Sequence, residues 1–178
     1  VPDELRRVVE LAAYWHDHGK NRERWQRTIT GTATVGTTDW MQQKELEGDG
    51  KHQCLGKSGD EMKRDPRGYR HEFGSLREFK DSMKGHVSDN VFDLAMHLIA
   101  VHHGRGRPHF SKGGFDPDCE SRSDEIHTES IRRFARLQRK YGWWHLAWLE
   151  NLLRCADALA SAAIGPEDDL EPSEDPIA

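Results

Sequence analysis

Apolar positions recur along this chain with the period of an α-helix rather than of a strand. Leu5, Val9, Ala12 and His16 fall on one face after a start signal of Pro2, Asp3 and Glu4, which predicts a first helix ended by Gly19. A short second helix is expected over 21–29. Glu72, Leu76, Phe79 and Met83 then mark a helix over 71–84. Val91, Ala95, Leu98 and His102 mark another, running from the Ser88-Asp89-Asn90 cap region to His103, with Gly104 as its stop. Helices over 124–140 and 143–164 complete the set. The last carries Leu146, Leu149, Leu153, Asp157, Ala160 and Ile164 on one face and is closed by Gly165-Pro166. No segment alternates as a strand does and no internal repeat is present. The pattern predicts an all-α helical bundle.

Between the periodic segments, 30–70 is rich in Gly, Thr, Lys and Asp and reads as a long surface insertion, a length usually tied to function or mobility. Residues 105–119 form a glycine-rich, locally basic loop, and 166–178 an acidic tail expected to fray. The 178 residues suit one domain, assigned to 1–165, with a single sizeable core. A net charge of -5 argues against a protein that coats nucleic acid by bulk charge, and leaves room for a local basic loop working with metal ions. No apolar run reaches the ~20 residues of a membrane span, and no secretory segment opens the chain. Cys54, Cys119 and Cys155 lack zinc spacing and read as reduced thiols of a cytoplasmic protein, Cys155 within an apolar helix. The first residue is Val1 rather than methionine, which reads as a processed chain or a piece of a longer one.

The 11 histidines are the unusual feature of the composition. Two helical stripes end in histidine just before a glycine: Trp15-His16-Asp17-His18-Gly19-Lys20, and His102-His103-Gly104. Imidazole and carboxylate at a helix end can converge on one cation, and the two oxygens of Asp17 could bridge a second. Lys20, three residues on from Asp17, could hold a phosphate oxygen. The plain alternative for the first segment is a histidine favoured by the helix dipole beside a solvated aspartate. For the second it is a satisfied core histidine. Asp157 shares its face with leucines, so its carboxylate points into the core, where it is costly unless a cation balances it; the alternative is an intrahelical pair with Arg154. His71, in Arg70-His71-Glu72-Phe73-Gly74-Ser75, is a weak signal by itself, with Gly74 and Ser75 allowing another helix to come close. Histidines 18, 52, 86, 97, 109, 127 and 145 read as surface residues.

Taken together, the order His-Asp, His, His-His, Asp resembles the HD metal-dependent phosphohydrolase superfamily, an all-α fold with a metal site in its core. The finer pattern resembles the HD nuclease domain of the type I CRISPR-associated helicase-nuclease. It rests on His16-Asp17-x-Gly19-Lys20 followed by Trp25-Gln26, then Arg70-His71-Glu72, His102-His103-Gly104 and Ala156-Asp157-x-x-Ala160-Ser161. The resemblance implies one metal held by His16, Asp17 and Asp157 and a second by Asp17, His71, His102 and His103, with Asp17 bridging. Asp17 and Lys20 would then be the catalytic pair, Lys20 lying near the scissile phosphate. It also implies transition metals such as manganese, iron, nickel or cobalt, a single-stranded DNA substrate, a helicase in the same or a partner chain, and a CRISPR RNA-guided surveillance complex. One departure stands out: the family supplies a further histidine upstream of the His-Asp motif, and nothing before His16 here can serve.

Arg105, Arg107, His109 and Lys112, interleaved with Phe110 and Phe115, could track a strand and stack its bases; a solvated glycine-rich loop is the alternative. Trp143, Trp144 and Trp148 read as core packing rather than a base platform. Two other functions fit the same residues. One is an HD phosphohydrolase of nucleotides or cyclic nucleotides, which needs a closed selective pocket. The other is a non-catalytic HD-like interaction module.

Overall fold

The computed structural model describes residues 2–22, 25–26, 69–115 and 120–163. Among them the secondary structure is helical, without strands. The elements are α1 (Asp3–Trp15), a 3-10 turn (His18–Asn21), α2 (His71–Met83), α3 (Asp89–Val101), a second 3-10 turn (Lys112–Gly114) and α4 (Glu120–Ala163). Gly142, at φ 73° and ψ 171°, leaves helical geometry and divides α4 into two arms, close to the expected division between 140 and 143. No described helix is long and apolar enough to cross a membrane. Most of the short helix expected over 21–29, the insertion apart from Tyr69 and Arg70, Ile164, the acidic tail, His52, Cys54 and Cys119 lie outside the described residues.

The middle of the bundle is α3. Ser88 caps it by accepting from the Val91 N–H at 3.5 Å, and every residue from Leu94 to Val101 is buried. A helix that is apolar nearly all round can be satisfied only by neighbours on several sides. α1 supplies Val8 and Ala12, α2 supplies Leu76 and Phe79, and the second arm of α4 supplies Leu146, Leu149 and Leu153. Phe79 stacks on Phe92 at 5.4 Å between ring centres. Paired charges bridge the rim, Arg136 to Asp93 and Glu129, Lys80 to Glu125, and Arg122 to Asp81. Such exposed pairs each contribute little to stability.

Three sequence expectations are corrected by this packing. His97 is a core residue, 3% exposed, because α3 has no solvent face for it to occupy. Its Nε2 lies 2.8 Å from Glu150 Oε1, while Glu150 Oε2 accepts from Arg107 at 2.7 Å. Burial lowers the His97 pKa, with the Glu150 hydrogen bond opposing. Trp143, Trp144 and Trp148 are not core: they are 72%, 89% and 44% exposed. The core stripe of that arm is Leu146, Leu149 and Leu153, and helical geometry turns the tryptophans away from it. Phe110, offered above as a base-stacking ring, is 2% exposed and packs edge-on against Phe73 at 4.6 Å. The loop folds it underneath, with Phe115 half-buried beside the same ring at 5.2 Å.

Candidate metal centre

The residues singled out at helix ends meet at one end of the bundle. α1 stops at Trp15 and not at Gly19. His16 caps it, and Asp17 leads into the 3-10 turn that carries Gly19 and Lys20. Gly19 does other work, since it lets this turn lie against the first turn of α2. A Cβ there would sit 2.6 Å from Ser75 N and closer still to the His71 carbonyl oxygen. Gly74 makes the same approach from the other side, where a Cβ would lie 2.9 Å from Gly19 Cα. Ser75, fully buried, fastens the junction. Its hydroxyl accepts from Gly19 N–H at 2.8 Å and donates to the His16 carbonyl at 2.6 Å. The sequence marks Ser75 only as a small residue beside Gly74, a signal of close contact, and no local pattern names the partner.

Two groups of ligand-type atoms result, each with all its members within 4.8 Å of one another. The first is Asp17, His71, His102 and His103; the second is His16, Asp17 and Asp157. In the first, His71 Nε2 lies 3.3 Å from His102 Nε2, 3.1 Å from His103 Nε2 and 3.2 Å from Asp17 Oδ1. In the second, His16 Nε2 lies 3.4 Å from an oxygen of Asp17 and 3.4 Å from Asp157 Oδ1. Asp17 belongs to both.

The tautomers are fixed by the backbone. His16 Nδ1 donates to the Ala13 carbonyl at 2.6 Å and His102 Nδ1 to the Ile99 carbonyl at 2.7 Å. Each ring therefore turns a bare Nε2 lone pair into the cluster when neutral. His71 Nδ1 faces the buried Glu72 carboxylate at 3.7 Å. Burial would raise the Glu72 pKa, but His71 and Arg70 outweigh it and hold the carboxyl below its ordinary value. Burial, reinforced by His103, pulls His102 down to about 4, and burial also lowers His103. For Asp17, burial raises the pKa, but the close contacts with His71 and Lys20 and the charges of His16 and Lys20 prevail. Its carboxyl is held well below the usual carboxylate range.

The lowered His102 and His103 and the ionised Asp17 carboxylate match the protonation states that divalent cations require. His16 Nε2 and Asp17 Oδ1 are buried and have no hydrogen-bond partner among the described residues. The His/Asp group could thus hold a metal ion.

The remaining expected residues divide. Asp157 does not point into the core: its side chain is 28% exposed, at the rim where α4 runs past its neighbours, and Ala160 beyond it is exposed. His103 also lies at the rim, exposed, and Lys20 Nζ holds an Asp17 oxygen at 2.7 Å. Arg105 and Lys112 are exposed on the loop that follows His103. Arg107 is exposed as well, but its guanidinium is paired with Glu150 at 2.7 Å and lies 6.0 Å from the centre of the Phe134 ring. Trp25 packs edge-on against His71 at 4.7 Å and Gln26 donates to the Lys20 carbonyl at 2.7 Å, so both steady the site. Among the other histidines, 18 and 127 are half-buried and 86, 109 and 145 exposed; Cys155 faces solvent.

No protein-family model, curated protein or solved structure matches this chain.

Proposed function

We propose that this chain is a metal-dependent phosphodiesterase of the HD type that hydrolyses single-stranded DNA. The observation that carries the reading is the convergence of two ligand groups on one shared carboxylate, Asp17. His71, His102 and His103 would hold one divalent transition metal, manganese, iron, nickel or cobalt, and His16 and Asp157 the other. Bound there, such ions supply Lewis acidity: they lower the pKa of water and offset charge on a phosphodiester.

The chain's own residues then do the rest. The Ala13 and Ile99 carbonyls aim the imidazoles, and Glu72 and Trp25 flank His71. Ser75 keeps Asp17 against α2 through the Gly19 and His16 backbone. Lys20 places a positive charge beside Asp17, where a phosphate oxygen would bind. Arg105 and Lys112 extend that charge along the rim. The part-exposed Asp17, Asp157 and His103 suit a strand laid across the site better than a nucleotide enclosed in a pocket. In this reading the chain acts in the cytoplasm in CRISPR antiviral defence, with a helicase on the same or a partner chain and an RNA-guided surveillance complex delivering the strand.

The test is cleavage of a labelled single-stranded oligonucleotide. Chelator-treated protein should be inactive, and manganese, nickel or cobalt should restore cutting, with duplex DNA and cyclic nucleotides left intact. Cutting that persists in stringently metal-free protein overturns the proposal, as does restored hydrolysis of cyclic nucleotides alone.

A further inference from the structure

Monomeric folds seldom leave several large aromatic side chains in water without a use for them. Here Trp143 and Trp144 are 72% and 89% exposed and Trp148 44%, all on the second arm of α4. Ring contacts join Trp148 to the break at Gly142. The rings of Trp148 and His145 are 5.9 Å apart, those of His145 and Tyr141 5.7 Å, and Lys140 Nζ lies 5.3 Å from the centre of Tyr141.

The charge around this ladder is one-sided. Over 131–149 there are five cations, Arg132, Arg133, Arg136, Arg139 and Lys140, and no carboxylate, in a chain whose net charge is -5. Arg133 and Arg136 are taken up by Asp93 across the helix interface. Arg132, Arg139 and Lys140 are exposed.

From this juxtaposition we infer that the exposed tryptophans, with Arg139 and Lys140, form a second binding surface for single-stranded DNA, separate from the metal cluster. Flat aromatic faces stack bases of any sequence, and nearby cations meet the phosphates between them. A docking face for an acidic or purely apolar protein segment would account for only one half of this composition. The surface is distinct from the candidate metal centre. Trp148 and Asp157 are nine residues apart on one helical arm, so they leave it on opposite sides, about 14 Å apart along the axis. A strand held there would be retained near the centre rather than aligned in it. The choice of DNA rests on the proposed function; strand binding itself needs no metal.

The experiment measures equilibrium binding of a fluorescent oligothymidylate to the whole chain, with chelator present so that nothing is cut. Trp144→Ala and Trp148→Ala should each weaken binding about tenfold, and Trp144→Phe should recover most of that loss. Arg139→Glu with Lys140→Glu should flatten the dependence of log affinity on log salt by about 1.4. Manganese affinity should stay at the parent value in all four proteins, which separates this result from any failure at the metal cluster. Unchanged oligothymidylate binding in Trp144→Ala and Trp148→Ala overturns the inference. So does tighter binding of the matching RNA, or tryptophan variants whose only change is lost self-association. If metal-dependent cleavage fails while this binding behaves as described, the strand surface stands without the nuclease reading.

Discussion

Asp17→Asn should abolish metal-dependent cleavage, with the rate falling on the order of a thousandfold, while the helical content is kept. Asparagine preserves the shape of the side chain and removes the charge. Asp17 is the single residue common to both ligand groups, so the neutral amide weakens both at once. His103→Ala removes a rim ligand from one group only and should cost about 10–100-fold in metal affinity there. The ordering matters more than either value. Cleavage rates and bound metal, measured together on both variants, check it. An Asp17→Asn protein that cuts as fast as the parent would show that the shared carboxylate is not where the chemistry is organised.

The second large effect is structural. Gly19→Ala adds one methyl group at a contact between two backbones, where a Cβ collides with the His71 carbonyl and Ser75 N. Neither side can yield by turning a side chain. The 3-10 turn must lift off α2, which costs about 3 kcal/mol, or roughly 8 °C in melting temperature. The Ser75 hydrogen bonds go with it, and Asp17 moves away from His71. Metal affinity should fall at least tenfold as well. Gly113→Ala is the control, since a Cβ there meets nothing within 4 Å. Thermal denaturation with and without manganese checks both. A Gly19→Ala melt within about 1 °C of the parent would contradict the packing argument.

Much of this was legible in the sequence, for reasons that also explain what was not. α2 was expected over 71–84 and runs His71–Met83; α3 was expected to end at His103 and ends at Val101, with Gly104 at φ 73° as the stop. The His-Asp and His-His pairs could be found because each ends an apolar stripe just before a glycine. Helical period then sets the direction of the side chains. Period says which residues share a face, however, and not how many faces are covered. His97 looked like a surface residue because it is off the expected stripe of α3, yet α3 is covered on every side from Leu94 to Val101. The aromatic-rich Trp143, Trp144 and Trp148 read as core, yet all three are exposed, and Leu146, Leu149 and Leu153 bury that arm. The hydroxyl of Ser75 and the pairing of Arg107 with Glu150 join residues 56 and 43 positions apart, and no local pattern announces them.

The central claim is that Asp17 gathers the two ligand groups into a metal centre, and calorimetric titration of chelator-stripped protein with manganese tests it most directly. The group of Asp17, His71, His102 and His103 offers four ligands, and that of His16, Asp17 and Asp157 offers three. The account predicts one tight equivalent and a second, weaker one, because fewer protein ligands leave more positions to water. Metal held only by the folded state should also raise the melting point, by a stabilisation of about 2.7 kcal/mol at a hundred times the dissociation constant. A titration without heat or bound manganese, together with a melting point indifferent to the metal, would contradict it.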